Sequence, residues 1–230
     1  MDGEKISSQL PTYAESDGRG LASPGNAMAA LMIAVIWFKF HTFDEAILPR
    51  HTLTLITGTG ALGALLLLFM PALLLPRRAR GAALVALDSL LSLLLLADLL
   101  YVRFYADLFS LRNIGLSSYA WEIASSIAGL ARARDALYFA DIPVFALLAR
   151  FIRDKNGWGR LTPVRAASVC AVMLMGASGL AWKIYDYDGA VPGAIRSLWD
   201  RPSVATSTGT LVYHAADVLN IIDDAVSRKS

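Results

Sequence analysis

The stretch AALVALDSLLSLLLLADLLYVRFYADLF, residues 82–109, decides the fold of this chain. Between residues 82 and 96 it carries one charge, Asp88, and a helix needs about 20 mostly apolar residues to cross a bilayer. Its polar side chains then follow at Asp98, Tyr101, Arg103 and Asp107. Because a charge left in hydrocarbon is costly, we expect these residues where a membrane helix reaches the headgroups.

The composition of the whole chain agrees with that prediction. Hydrophobic residues make up 56% of the 230 positions, charged residues only 17%, and the mean hydropathy is +0.50, which is typical of an integral membrane protein. Five apolar blocks approach the length of a membrane helix, namely Ala27–Phe43, Leu53–Leu75, Ala82–Phe104, Ala136–Phe151 and Val164–Ile184. The predicted fold is therefore all-α, an integral membrane domain with five transmembrane helices.

Two further segments have the spacing of amphipathic helices. Tyr119–Leu130 repeats apolar residues at three- and four-residue intervals and contains Trp121, which predicts a helix lying along the outer membrane interface. Near the C-terminus an apolar stripe predicts a juxtamembrane helix; it consists of Leu211, Ala215, Val218, Ile222 and Val226. Asp217, Asp223 and Asp224 are expected to face water on the opposite side of that helix.

The positions of the basic residues predict the topology. Short loops rich in Lys and Arg stay in the cytoplasm. One such cluster contains Arg77, Arg78 and Arg80, and the other contains Arg150, Arg153, Lys155, Arg160 and Arg165. With five spans, the N-terminus is then cytoplasmic and the C-terminus extracellular. The predicted domains are a flexible cytoplasmic lead-in at 1–26, the membrane domain at 27–184 and an extracellular juxtamembrane segment at 185–230.

Small residues in the second and fifth blocks predict that these helices pack closely. They are Gly58, Gly60, Gly63, Gly176 and Gly179. Helices in lipid gain little from burying apolar surface, so their contacts depend on close backbone approach at small residues.

Residues that could perform catalysis are scarce. The three histidines, His41, His51 and His214, are far apart and none belongs to a spaced metal-ligand cluster. We find no phosphate-binding Gly loop and no G-x-S-x-G turn. The sequence therefore predicts no catalytic residue, no metal site and no cofactor within this chain. Membrane lipids are the expected partners, and nucleic acid is not one.

Six polar residues are candidates for anchoring a helix end or binding a lipid headgroup. They are Asp98, Tyr101, Arg103, Asp107, Arg134 and Asp141. Arg103 and Asp107 have the i,i+4 spacing of a helical ion pair, and the guanidinium group of Arg103 also suits a lipid phosphate. Asp141 falls inside the fourth block, where an acidic residue is expected to have a partner; a basic or Tyr side chain from the third block is a plausible one.

Several segments resemble, in order, the membrane region of the lipoteichoic acid synthase family. They are ADLLYVRFYADLFSLRNIG (97–115), SSYAWEIASSIAGL (117–130), RDALYFADIPVFALL (134–148), SLWDR (197–201) and GTLVYHAADV (209–218). The sharpest motif is Tyr-x-Arg-Phe-x-x-Asp, here Tyr101, Arg103, Phe104 and Asp107. The similarity extends from the first apolar block to the end of the chain.

The resemblance implies a bacterial cell-membrane protein with five spans. In this family a large extracellular sulfatase-type domain follows and transfers glycerol phosphate from phosphatidylglycerol during cell-envelope polymer synthesis. That domain is implied to use a threonine nucleophile beside a divalent metal, usually manganese. This chain ends at Ser230, about where the linker to that domain is expected, so no catalytic residue can be carried over.

Three classes of function follow from these observations. The first is the membrane-anchoring domain of a phosphoglycerol transferase, with its catalytic domain in cis or in trans. The second is a stand-alone interaction or regulatory module, and the third is a small transporter. A transporter is expected to show repeat symmetry or broken helices with polar residues at the membrane midplane. Whether the 230 residues by themselves form an enzyme is left open, although catalysis by this chain alone is not expected.

Overall fold

The computed structural model describes residues 24–48, 55–111, 129–154, 162–191, 193–197 and 200–227, and no strand occurs among them. The first helices are α1 (Pro24–Ile47), α2 (Leu55–Phe69), the 3-10 helix η1 (Met70–Leu74) and α3 (Arg77–Tyr105). Next come the 3-10 helix η2 (Ala133–Phe139), α4 (Ile142–Asp154) and α5 (Pro163–Ala190). The C-terminal segment contains α6 (Ala194–Ser197), α7 (Arg201–Thr208) and α8 (Thr210–Ser227). The all-α prediction is confirmed for this part of the chain.

Three helices within the described ranges are long and apolar enough to cross a membrane: Pro24–Ile47, Arg78–Tyr105 and Pro163–Gly189. These correspond to the first, third and fifth predicted blocks. The other two predicted blocks form shorter helices, so by length and composition the structure has three candidate spans rather than five. Their apolar stretches are interrupted, and in each case a proline stands at the interruption.

Proline explains both interruptions. Pro71 lacks an amide hydrogen, and its ring clashes with the preceding turn, so α2 ends at Phe69 and the chain continues as η1. In the fourth block, η2 ends before a turn at Ala140 and Asp141. Helix α4 then begins at Ile142 with Pro143 in its first turn, where a missing amide hydrogen costs little. The predicted block Ala136–Phe151 is therefore not one continuous helix.

The three long helices run in the same direction. Asn26 in the first turn of α1 contacts Arg165 in the first turn of α5. Lys39 contacts Ser92 midway along α1 and α3. Toward the ends of α1 and α3, Asp44 and Asp98 both contact α8. The C-terminal segment therefore sits where the long helices end, at the opposite end from Asn26 and Arg165.

The close packing predicted from the glycines is confirmed for α2 and α5. A Cβ atom placed on Gly63 would lie 2.5 Å from the backbone oxygen of Gly176, and one on Gly176 would lie 2.9 Å from the oxygen of Gly63. The two backbones thus touch at this crossing, where only glycine fits. The pairing gives α2 a firm position although it is shorter than its neighbours.

Large apolar side chains cover the outside of the bundle as well as its core. Met32, Ile36, Phe40 and Leu95 are buried between the helices. Exposed outward-facing residues include Phe38, Leu90, Leu93, Leu147, Leu174 and Trp182. A soluble protein rarely exposes apolar surface on this scale, whereas lipid solvates it readily. The surface therefore supports the predicted membrane setting.

The two predicted amphipathic helices have different outcomes. The interfacial helix Tyr119–Leu130 lies outside the described residues, apart from a turn at Gly129 and Leu130. The C-terminal helix is present as α8. Its predicted orientation is wrong for Asp217, which is buried, whereas Asp223 and Asp224 are exposed as predicted. In the apolar stripe Leu211 is buried, and Val218, Ile222 and Val226 are exposed.

Candidate functional site

A stripe of polar residues on α8 packs against the ends of α1 and α3. Thr210, Tyr213, His214 and Asp217 have i, i+3, i+4 and i+7 spacing, which places them on one face of the helix. All four are buried. Their partners include Asp44 of α1, Asp98 of α3 and the segment 106–111 that follows α3. We call this set of contacts the α8 interface.

The carboxylate of Asp44 holds the beginning of α8. The Thr210 amide donates to both oxygens of Asp44, at 3.2 and 3.3 Å, and the Thr210 hydroxyl donates to the same group. A carboxylate at a helix N-terminus satisfies amides that lack an intrahelical partner and interacts favourably with the helix dipole. Gly209 is required beside it, because its φ is +91° and a Cβ would lie 3.3 Å from Asp44 Oδ2.

Asp98, a predicted site residue, joins α3 to α8. His214 Nε2 lies 2.6 Å from Asp98 Oδ2, and the Phe109 amide donates to Oδ1 at 3.1 Å. A carboxylate oxygen accepts, so Nε2 is the donor in this contact. Asp98 therefore connects three segments: α3, the chain after α3, and α8. Sequence reasoning placed Asp98 at the helix end but did not find His214 as its partner.

Asp217 completes the α8 interface and corrects the expectation that it faces water. It is fully buried and accepts from the Ser110 hydroxyl at 3.0 Å and the Leu111 amide at 2.7 Å. The Tyr213 hydroxyl donates to the Phe109 carbonyl at 3.1 Å. Burial, reinforced by Asp217, raises the pKa of this hydroxyl above its ordinary value of 10.0, so it remains a donor.

The predicted helical ion pair between Arg103 and Asp107 does not form. Helix α3 ends at Tyr105, and Ala106 has a left-handed φ of 55°, which turns the chain away before Asp107. Asp107 instead accepts from its neighbour Leu108 and pairs with Arg201 of α7 at 3.0 Å. The i,i+4 argument fails because it requires both residues to lie within the helix.

Arg103 pairs with Asp135 at the start of η2. Its two terminal nitrogens lie 2.5 and 2.8 Å from the two oxygens of Asp135, and Nη1 also donates to the Leu130 carbonyl at 2.9 Å. Such bidentate contacts are the most directional that arginine forms with a carboxylate. Arg134, predicted as a helix-anchoring or headgroup-binding residue, is exposed. Tyr101, another predicted site residue, stacks near Tyr105 with ring centroids 4.5 Å apart.

The Arg103 pairing predicts a specific pH dependence. Hydrogen bonds from Arg103 lower the pKa of Asp135 from 3.8 to about 2. A carboxyl group whose pKa is lowered by folding stabilises the fold above its ordinary pKa, and that contribution is lost as the pH falls through the folded value. We therefore expect the wild type to lose stability between about pH 4 and about pH 2 relative to Asp135→Asn. Parallel thermal unfolding curves of the two proteins in detergent across this range would contradict the assignment.

Asp141, predicted to lie deep in the fourth span, instead precedes the first residue of α4. Its partner comes from α1 and not from the third span. Lys39 Nζ lies 2.6 Å from Asp141 Oδ1, 3.1 Å from Asp88 Oδ1 and 2.8 Å from Ser92 Oγ. We call these four residues the Lys39 network. Sequence reasoning missed Lys39, although a single lysine within an apolar block was the signal for it.

The chemistry of these groups is that of binding and positioning. Within the described ranges, no group of three or more His, Cys, Asp or Glu side chains could hold a metal ion. These residues therefore do not fit the manganese that the family resemblance implies for a catalytic domain. The α8 interface brings together carboxylates, a histidine and backbone amides that hydrogen-bond to one another. His214 Nδ1 is buried without a hydrogen-bond partner among the described residues.

Comparison with known proteins identifies the family. The family model described as lipoteichoic acid synthase N-terminal domain matches residues 21–230, nearly the whole chain. No curated protein and no solved structure gives a significant match. The matched region includes α1 to α8 and therefore both the α8 interface and the Lys39 network. From the extent of this match, the chain belongs to the lipoteichoic acid synthase N-terminal domain family.

Proposed function

We propose that this chain is the membrane domain that anchors and orients a sulfatase-type phosphoglycerol transferase in cell-envelope polymer synthesis. The observation that carries the proposal is the α8 interface, in which Asp44, Asp98 and Asp217 bind the C-terminal segment to the ends of the long helices. A catalytic domain attached in cis or bound in trans is then held in a defined position above the membrane. In this proposal, phosphatidylglycerol of the surrounding membrane supplies the glycerol phosphate.

Several contacts fix helices α7 and α8 of the C-terminal segment against the ends of the long helices. The polar groups of α8 that face the bundle contact partners on two long helices and the segment after α3. Arg201 of α7 adds a partly exposed ion pair with Asp107. Buried, satisfied polar contacts are directional, so they specify one arrangement of the helices more strongly than apolar packing does. The C-terminal segment therefore has a fixed orientation relative to the bundle.

We further propose five spans, with a cytoplasmic N-terminus and an extracellular C-terminus in the bacterial cell membrane. Helices α1, α3 and α5 run in the same direction, so the chain returns across the membrane between each pair. Together α2 and η1 are about 32 Å long, by their rises per residue, against a hydrocarbon thickness of about 30 Å. Helix α4 is about 20 Å long, and η2, which precedes it, packs against α3. The Lys and Arg clusters set the orientation.

Cysteine accessibility tests this topology. In a background with Cys170→Ala, we expect a cysteine at Ser230 to react with a membrane-impermeant maleimide in intact cells, and one at Ala79 to react only after permeabilisation. Cys170 must be removed because it is exposed on α5. A cysteine at Ser197 serves as a second outer-side control. Labelling of Ala79 and Ser230 from the same side would exclude this topology, which places three spans between them.

The functional proposal is tested by joining this chain to a catalytic domain. In a lipoteichoic acid synthase-deficient strain, we expect a fusion of the chain to a family catalytic domain to restore polymer, and the chain alone to restore none. The fusion that carries Asp217→Leu should restore less polymer than the wild-type fusion. The fusion that carries the matched surface variant Asp223→Leu should restore as much polymer as the wild-type fusion. The proposal fails if the purified chain alone releases diacylglycerol from phosphatidylglycerol with manganese, or if the fusion restores no polymer when produced at wild-type levels.

The Lys39 network favours one alternative function, that of a small transporter. A small transporter places ionisable residues in its interior, as Lys39, Asp88 and Asp141 are placed here. The same residues form a cluster of ion pairs and a hydrogen bond that joins α1, α3 and the start of α4, which suits a structural role. An interaction or regulatory module is the other alternative, for which the exposed apolar face of α8 offers a surface.

A further inference from the structure

An apolar groove with a volume of about 900 Å³ lies between α1, α2 and α5. The walls include Ala30 and Ala34 of α1, Leu62 and Leu66 of α2, and Val169 and Val172 of α5. Ala30 and Ala34 have i,i+4 spacing and are exposed, so the groove opens on the outer surface of the bundle. Pockets that bind small ligands have volumes of about 300–1,000 Å³, so this one has room for a sizeable apolar group.

One end of the groove is polar. Arg165 of α5 lines it together with Asn26 of α1, and Arg165 Nη2 donates to Asn26 Oδ1 at 2.8 Å. Only 8% of the Arg165 surface is exposed. Burial and the hydrogen bond to Asn26 together restrict the movement of the guanidinium group. From Asn26 the lining of α1 continues to Trp37, a rise of about 16 Å along the helix. The groove is thus long and apolar, with a cation at one end.

We propose that this groove binds one acyl chain of an anionic phospholipid whose phosphate contacts Arg165. An anionic lipid is complementary to this groove, because its negatively charged headgroup is joined to a long apolar chain. The planar guanidinium matches phosphate oxygens in a bidentate geometry that lysine cannot reproduce. An open groove in a membrane bundle gains dispersion contacts when a chain fills it.

The location separates this site from the function proposed above. Arg165 and Asn26 lie where α1 and α5 begin, whereas the α8 interface lies at the other end of the bundle. The lipid is therefore not placed as a substrate beside a catalytic domain on α8. A second copy of the chain is a less suitable occupant. The positive charge of Arg165 lies at one end of an otherwise apolar groove, and this arrangement matches an amphiphile with an anionic headgroup.

The experiment measures lipid binding to the purified full chain by native mass spectrometry in neutral detergent. The probes are dioleoylphosphatidylglycerol and dioleoylphosphatidylcholine, which differ only in the headgroup, and inorganic phosphate. We expect the anionic lipid to bind about tenfold or more tightly than the zwitterionic lipid, with a preference that falls at high salt. Phosphate alone should not compete, since most of the contact area belongs to the chain.

Variants separate the two parts of the site. Arg165→Gln should abolish the preference for the anionic lipid, and Arg165→Lys should reduce it. Ala34→Phe, which fills the groove from its open side, should weaken binding of both lipids about tenfold or more. Two controls should bind as wild type. Arg196→Gln removes an 83% exposed arginine side chain at the other end of the protein, and Ala146→Phe enlarges an exposed residue of α4 outside the groove.

Each alternative result overturns the proposal. Equal binding of the two lipids by the wild type, or a preference retained by Arg165→Gln, removes the headgroup assignment. If Arg165→Gln does not fold, the test rests on Arg165→Lys and Ala34→Phe. Lipid binding that is unchanged from the wild type in both variants contradicts the proposed site. If Ala34→Phe changes the oligomeric state but not lipid binding, the groove is an interface with a second copy. Competition by inorganic phosphate at equal concentration would exclude the role of the acyl chain.

Discussion

Replacing Lys39 by methionine should lower the free energy of unfolding by about 3–5 kcal/mol, the typical cost of removing one partner of a buried ion pair. The lysine side chain is 10% exposed, and its ammonium group serves Asp88 and Asp141 together. Without it, two carboxyl groups remain inside the bundle with no cation, and they must take up protons or draw in water. Thermal unfolding of the purified variant in detergent measures the loss.

Lys183 provides a matched control for this experiment. Its side chain is 9% exposed, nearly the same as that of Lys39. However, its acidic neighbour Asp186 is 56% exposed and lies 3.9 Å away. Because Asp186 reaches solvent, Lys183→Met leaves no buried charge behind, and a smaller loss is expected.

A combined variant tests the reason for the effect. If the uncompensated carboxylates cause the instability, Lys39→Met should recover most of its stability when Asp88→Asn and Asp141→Asn are added. Equal losses for Lys39→Met and Lys183→Met, with no recovery in the combined variant, would show that side-chain volume matters and charge does not.

The second large effect is expected for Asp98→Leu. This variant leaves the Phe109 amide and His214 Nε2 without their acceptor in a buried position. Unsatisfied buried donors cost about 1–3 kcal/mol each, so a loss of about 2–5 kcal/mol is expected. The first two turns of α8 should then exchange their amide hydrogens faster than in the wild type, because the helix separates from the bundle. Hydrogen exchange read by mass spectrometry measures this directly.

Asp223→Leu is the corresponding control on the same helix. Asp223 is 60% exposed and lies 3.5 Å from an exposed arginine, Arg196, so its removal should change stability by less than about 1 kcal/mol. The double variant Asp98→Leu with His214→Leu should be more stable than Asp98→Leu alone, because no polar atom of His214 then remains buried. Unchanged exchange in α8 of Asp98→Leu would refute the role of Asp98 in holding the helix.

Helix α8 shows what pattern reasoning could and could not predict. Residues 210–227 carry two stripes at helical spacing, so the helix itself could be predicted from the sequence alone. This spacing predicts that Asp217 faces water together with Asp223 and Asp224. The structure instead buries Thr210, His214 and Asp217. The rule fails near a membrane because apolar side chains also find a favourable environment in lipid, and carboxylates need partners that only the bundle supplies.

The all-helical class, the apolar blocks, the glycine-mediated helix contact and the family could all be predicted from the sequence. These properties depend on hydrophobicity summed over neighbouring residues or on residues whose size alone sets an approach distance. The pairing of the polar residues could not be predicted in this way and follows from how the helices pack. Arg103 pairs with Asp135 across 32 positions, and Asp98 contacts His214 across 116. Such partners depend on which helix faces turn toward each other, and on where Ala106 ends α3, neither of which local spacing records.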